Sequence, residues 1–331
     1  MEKNNTPKPV PKKYPYVYTG TELLNMVPNK IPYLWNPFIN KQGLIALTGS
    51  SDVGKSSFLR QFAIAIAMKE KDFLGHKLEV KHGRVIYYTT EDSQVSINIL
   101  LKKQLPTVDP KLLTGLCYIF NTENPLRIIE DQLKEASTDV VIIDCFADIF
   151  DGQMNDISSI RRFLNKYDKL SLEYDCVFVF LHHNGKRTEL VNPSKNHIIG
   201  SQGFEAKMRL VMELRKNGDN SNRSLWFTKG NYLPESQKKV ALELKFDDKQ
   251  EFTFIGTKAT VNLGLNNSRK FNDADKSKIM LEVKKHLNKK LSLDKVIDEL
   301  KKVGFNAIPS KGTLHTWIKE SKSVQSTKST K

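Results

Sequence analysis

The chain has only three cysteines in 331 residues, Cys117, Cys145 and Cys176, and no two of them stand at metal-ligand spacing. Each sits in an apolar, strand-like run, so all three read as buried, reduced thiols, which sets aside disulfides and metal-thiolate chemistry. No apolar run approaches the ~18 residues that a membrane span needs. The N-terminus, MEKNNTPKPVPKKYPYVYTG, carries Lys and Pro but lacks the apolar stretch of a secretory signal, which points to a cytoplasmic address. There is no internal repeat.

What is present suits a folded globular protein, with 39% hydrophobic and 27% charged residues. The length exceeds the ~250–300 residues at which single cores stop growing, so two units are expected. The net charge of +15 is uneven: residues 1–40 contribute +3 and residues 268–331 contribute +9, leaving +3 for everything between. A nearly balanced body with a basic end fits a polyanion-binding appendage, and equally a solvated lysine-rich face.

Residues 1–24 form a basic, Pro/Lys-rich arm without apolar periodicity. From Leu44 to about Phe254, apolar runs alternate with helical stretches: LIALT, VIYYTT, LCYIF, VVIID and CVFVFLHH, then the closely spaced RLVMELR and SLWFTKG. Strands apolar throughout and separated by helices predict an α/β fold built on a mainly parallel, doubly covered sheet, with the late runs closing it antiparallel. Residues 257–274 read as a linker, so the core is expected over 25–267. Three helical patterns follow over 268–320, the second capped by Ser292, and suggest a small helix-turn-helix or winged-helix domain with Ser310–Lys319 as recognition helix. A disordered Ser/Thr/Lys tail is expected over 321–331.

The strongest motif is Gly49-Ser50-Ser51-Asp52-Val53-Gly54-Lys55-Ser56, a full G-x-x-x-x-G-K-S between the strand LIALT and a helix that opens with Lys55, Ser56 and Ser57. Its glycines let backbone N–H groups curl around a phosphate, the helix dipole favours negative charge, Lys55 reaches the β/γ-phosphates of ATP and Ser56 holds Mg²⁺. A kinase, a GTPase or a motor all carry such a loop. VVIIDC supplies Asp144, which can hold Mg²⁺ through water, and VIYYTTEDS delivers Glu91 and Asp92 to the sheet edge where ligands bind. A carboxylate there can orient or deprotonate the water attacking the γ-phosphate; Glu91 is the candidate base, and Asp92 reads equally as a helix N-cap. CVFVFLHH ends in His182 and His183, either of which can hydrogen-bond a γ-phosphate. A zinc pair is disfavoured, because adjacent strand residues face opposite sides and no Cys or Glu stands at ligand spacing.

These segments together resemble the RecA-like ATPases of the RepA and DnaB hexameric helicase group over roughly residues 25–255. The resemblance is carried by IALTGSSDVGKSS, YYTTEDS, VVIIDCFADIF, FLHHNGK, IIGSQGFEAKMRLVMEL and FTKGNY. It implies a RecA-like P-loop core, ATP and Mg²⁺ as cofactors, Glu91 as catalytic glutamate, Asp144 as the Walker B aspartate, and His182 or His183 as phosphate sensor. Arg209 matches an arginine that reaches a neighbouring subunit's site. Lys229 matches the lysine of a trans-acting K-x-R element, whose arginine is replaced here by Asn231. It also implies a homo-hexameric ring on single-stranded DNA, contacted by Lys186, Arg187 and Lys195 from channel loops, with an initiator or primase as further partner. The rival readings are a RecA-like recombination or regulatory ATPase that does not unwind DNA, a small-molecule kinase, and a sequence-specific DNA-binding regulator.

Overall fold

A computed structural model describes residues 17–27, 30–185, 191–217, 221–259, 273–288, 291–303, 308–309 and 311–326. The chain divides into two compact units, Met1–Thr260 and Val261–Lys331.

In the first unit a short helix α1 (Gly20–Leu24) precedes a small ribbon of β1 (Tyr33–Trp35) and β2 (Ile39–Asn40). Strand β3 (Gly43–Gly49) leads into α2 (Lys55–Ala67), followed by a second ribbon of β4 (Asp72–Phe73) and β5 (His76–Lys77). Then come β6 (Val85–Thr89), α3 (Gln94–Gln104), β7 (Leu116–Phe120), α4 (Pro125–Glu135), β8 (Val140–Asp144), α5 (Phe146–Ile149), α6 (Ile157–Glu173) and β9 (Val177–His183). Helix α7 (Ser201–Lys207) precedes β10 (Leu210–Lys216) and β11 (Asn222–Gly230), and α8 (Glu235–Lys238) precedes the hairpin of β12 (Val240–Phe246) and β13 (Phe252–Ala259).

Nine strands form one sheet in the order β13-β12-β11-β10-β3-β9-β8-β6-β7. Strands β10, β3, β9, β8, β6 and β7 are mutually parallel, while β11, β12 and β13 add antiparallel neighbours at one side. Strands β3, β6 and β8 are buried at every position, as their mainly apolar sequences require. Alternate residues feed two cores: Ile45, Leu47, Val179 and Leu181 join α2 on one face, and Leu44, Ala46, Phe178 and Phe180 join α6 on the other. Each Leu, Ile, Val or Phe side chain so taken from water contributes about 1.5–3 kcal/mol. All parallel strands point their C-terminal ends to one edge, where the P-loop, Glu91, Cys145 and His183 follow.

The second unit contains α9 (Asp273–Asn288), α10 (Leu293–Lys302) and α11 (Lys311–Ser326) and, among the described residues, no strand. Ile279 and Val283 of α9, Val296 and Leu300 of α10 and Leu314 of α11 make its core; the i, i+4 spacing within α9 and α10 puts each pair on one helix face. Two sequence expectations change here. Ser292 occupies the N-cap of α10 in extended conformation, but its side chain makes no capping hydrogen bond. Helix α11 runs to Ser326 instead of giving way to a tail at 321, since no Gly or Pro interrupts ESKSVQS.

Candidate nucleotide site

Gly49 ends β3 with φ +154°, and a Cβ there would stand 2.5 Å from the Leu214 carbonyl oxygen. Gly54 caps α2 at φ +97°, in the left-handed region that costs glycine nothing. Between them the loop turns so that Lys55 Nζ donates to the carbonyl of Ser50 at 2.6 Å. Lys55 is buried, which lowers its pKa, while Asp144 and Glu91 work in the opposite direction. A lysine held on its own loop's carbonyl is a donor that a phosphate can take over.

Asp144, at the end of β8, is 2% exposed. Its Oδ2 accepts from the Tyr87 hydroxyl at 2.9 Å, and its Oδ1 is buried with no hydrogen-bond partner. Burial pushes its carboxyl up to about 6, against the pull of the Tyr87 and Ser56 hydroxyls, although Ser56 stands outside hydrogen-bond geometry with Oδ1. An orphaned carboxylate oxygen near a serine hydroxyl is suited to a hard divalent cation, so Ser56 and Asp144 fit Mg²⁺.

Glu91 is exposed and lines the same cleft of about 480 Å³ as Ser51, Asp52, Gly54, Lys55, Ser56 and Ser57. Asp92 is not the N-cap of α3; Ser93 is, accepting from the Ser96 N–H at 3.1 Å. The two histidines separate as the strand pleat demands. His183 lines the cleft. His182 faces the opposite core between Phe146 and Phe204, its Nε2 2.9 Å from the Ile199 carbonyl oxygen, and burial drives its pKa down to about 4. A larger cavity of about 950 Å³ lies beside Leu23, Met26 and Lys41, away from the P-loop.

Arg209 lies elsewhere. Its N–H donates to Leu44 O at 2.7 Å and it precedes Leu210, the register partner of Ile45, so it sits at the N-terminal edge of the sheet. The length of β3, about 20 Å, separates it from the P-loop. Lys229 and Lys195 both reach Glu205, each with Nζ 3.0 Å from Oε1. Burial of Glu205 is outweighed by these two lysines, and its pKa is lowered. Lys195, read as a strand-contacting cation, is thus ion-paired within its own chain, as is Lys229. Lys186 and Arg187 lie outside the described residues.

Several site residues carry no sequence motif. Phe246 and Gln250 from the β12–β13 hairpin close the cleft beside Gly54. The Arg223 guanidinium lies 5.1 Å from the Phe246 ring centroid, and its Nε donates to the Val53 carbonyl at 3.0 Å. Arg60, 2% exposed, ties Gln104 (2.7 Å) to Gln250 (2.9 Å) under the loop. Buried Glu213 accepts from Asn184 Nδ2, the Ser194 N–H and Arg215 Nε at 2.9, 3.0 and 2.8 Å, joining the two ends of the 184–194 segment. A charged residue inside the apolar run RLVMELR is the one signal that could have marked Glu213.

One of the cysteines also departs from expectation. All three are free, but Cys117 is only partly buried. Glu91, Cys145 and His183 present donor atoms within 4.8 Å of one another, because β6, β8 and β9 lie side by side and end at one edge. The Cys and Glu partners that His183 lacks in sequence are brought to it by the sheet.

The fold is shared with a solved structure. Over 65% of this chain and 86% of the other, it superposes on a solved ATPase domain with a TM-score of 0.53 at 11% identity. A KaiC-like protein from the hyperthermophilic archaeon Pyrococcus horikoshii OT3 aligns over 67% of this chain and 94% of its own, with a TM-score of 0.49 and 17% identity. No curated protein matches the chain. The nine-stranded sheet with helices on both faces is a RecA-like α/β fold. The pattern for the AAA domain matches residues 13–189, which hold the P-loop, Glu91, Asp144 and both histidines, and the chain belongs to the AAA domain family.

Proposed function

We propose that this protein is an ATP-hydrolysing motor of the RepA-like helicase type, working in the cytoplasm as a homo-hexameric ring on single-stranded DNA in the replication of a mobile element. One observation carries the reading. Lys55, Ser56, Glu91, Asp144 and His183 gather at one edge of the sheet, while exposed Arg209 stands at the opposite edge, where it cannot serve its own cleft. An exposed arginine too far from its own cleft to serve it suits head-to-tail subunits that complete each other's chemistry.

In this reading Ser56 and Asp144 would hold Mg²⁺, which would supply neutralisation of phosphate charge. Lys55 leaves the Ser50 carbonyl for the β/γ-phosphates, Glu91 takes a proton from the attacking water, and His183 hydrogen-bonds the γ-phosphate. Lys186 and Arg187 contact the DNA backbone, with Lys195 joining them when it exchanges Glu205 for phosphate. The three-helix unit serves as an accessory DNA-binding or docking module; Lys311, His315 and Thr316 lie exposed on α11. An initiator or primase is the expected further partner. The test is ATP hydrolysis with and without single-stranded DNA, run beside unwinding of a forked duplex. Stimulation and unwinding are expected; hydrolysis indifferent to DNA would overturn the motor reading.

A further inference from the structure

Among the described residues, one group of three side chains has the donor set of a transition-metal site: the Glu91 carboxylate, the Cys145 thiol and the His183 imidazole. They come from the ends of three adjacent strands, 54 and 38 positions apart, so no local motif announces them. Mg²⁺ is a poor occupant, since it takes oxygen ligands in octahedral array. Thiolate with imidazole and carboxylate selects a softer, tetrahedral ion, and Zn²⁺ accepts all three.

We propose that Glu91, Cys145 and His183 form a Zn²⁺ site whose occupation switches off ATP hydrolysis. Tetrahedral zinc with bonds of about 2.0–2.3 Å sets its donors about 3.3–3.7 Å apart. The observed spread of up to 4.8 Å therefore has to close by about 1 Å. Glu91 is exposed and can make that movement by rotating its side chain, whereas Cys145 is held in the core at 1% exposure. The ion enters from the nucleotide cleft, which Glu91 and His183 line. On binding, the Cys145 thiol gives its proton to solvent and its sulfur becomes a ligand, and water fills the fourth position. Lys55 and Ser56 remain outside the site, so ATP can still be held while Glu91 and His183 are withdrawn from it. That inhibitory clause rests on the roles proposed above for those two residues; the zinc site itself does not.

The experiment titrates full-length protein with Zn²⁺ against a chromophoric chelator, and in parallel with Co²⁺, whose thiolate charge-transfer absorption reports a cysteine ligand directly. The expected result is one ion per chain with a cobalt–thiolate band. Cys145→Ser and His183→Ala should each weaken binding by roughly tenfold or more, the loss that even outer partners of a metal cause. The Cys117→Ser/Cys176→Ser double variant should bind as wild type, and thermal unfolding confirms that each variant is folded. If Cys145→Ser fails to fold, Cys145→Ala and His183→Ala carry the same comparison. Unchanged zinc affinity in the Cys145 and His183 variants, or a stoichiometry of zero, overturns the site. Zinc should also suppress wild-type hydrolysis in excess Mg²⁺ and ATP, and should suppress Cys145→Ser far less. One tightly bound zinc without inhibition overturns the switch, and Glu91→Gln assayed without zinc then tells whether the role given to Glu91 has failed.

Discussion

The Tyr87 hydroxyl donates to one oxygen of Asp144 at 2.9 Å and leaves the other oxygen buried and unpartnered. Tyr87 belongs to β6 and Asp144 to β8, paired strands in which Tyr87 stands opposite Ile142. The bond therefore holds the carboxylate by one oxygen and keeps the other for a cation. Tyr87→Phe removes the donor and strands a second buried oxygen, which should cost about 1–3 kcal/mol of stability. Chemical denaturation of the two proteins side by side checks this; equal midpoints would mean that water replaces the hydroxyl.

The pH dependence of stability pits Asp144 against His182. The Asp144 carboxyl rises from 3.8 to about 6 by burial, so the folded state takes up a proton before the unfolded one. Its contribution makes the protein more stable as pH falls from about 6 towards 3.8. His182 falls from 6.5 to about 4, so the unfolded chain protonates first and stability is lost as pH falls through that window. Asp144→Asn removes the first effect and leaves the second. At pH 7 without metal, the variant should be more stable than wild type by up to about 3 kcal/mol, and its acid loss between about pH 6 and 4 should be steeper. Urea midpoints measured across that range decide; parallel curves would refute the opposition.

Hydrolysis should separate from binding at two residues. Lys55→Ala should abolish turnover and weaken nucleotide binding, since no other side chain of the loop is a cation that can meet the β/γ-phosphates. Glu91→Gln should bind nucleotide normally and fail to turn over, because the amide keeps the shape but cannot take a proton. Fluorescent-nucleotide titration paired with phosphate release reads both; normal turnover in Glu91→Gln moves the base to Asp92.

Arg209→Ala should be silent in isolated subunits and defective in assemblies. It stands about 20 Å along β3 from its own P-loop, so the role proposed for it is in a neighbour's site. Mixed with Glu91→Gln, it should regain part of the wild-type rate, since some interfaces then pair an intact Glu91 with an intact Arg209. No recovery in verified mixed assemblies would rule out action in trans.

A chain ending at Thr260 retains all thirteen described strands, since β13 closes at Ala259. It should still hydrolyse ATP and respond to single-stranded DNA, while binding duplex more weakly and with a shallower dependence on salt, as Lys-rich phosphate contacts are lost. Loss of single-strand stimulation with intact basal turnover would put DNA sensing in the helical unit.

Much of the core could be read from local pattern because its elements are local. The P-loop is eight consecutive residues between a strand and a helix, and the mainly apolar strands state that both faces of the sheet are covered. The period of two on β9 already implied that only one of His182 and His183 faces any given site. Which one it is depends on which face α2 covers, and that follows from packing rather than from spacing.

The sequence by itself determined the chemistry on offer: a phosphate loop, carboxylates at strand ends, a basic end segment and a sheet of mainly parallel strands. Only the tertiary structure decided who meets whom. Phe246 and Gln250 reach the loop from a hairpin far along the chain, Glu205 takes both Lys195 and Lys229, and three strand ends bring Cys145 to Glu91 and His183. The physical reason is that residue spacing along the chain encodes the pleat and the turn, whereas strand order is selected by the burial of whole faces. Side chains far apart in sequence become neighbours only once those faces have closed.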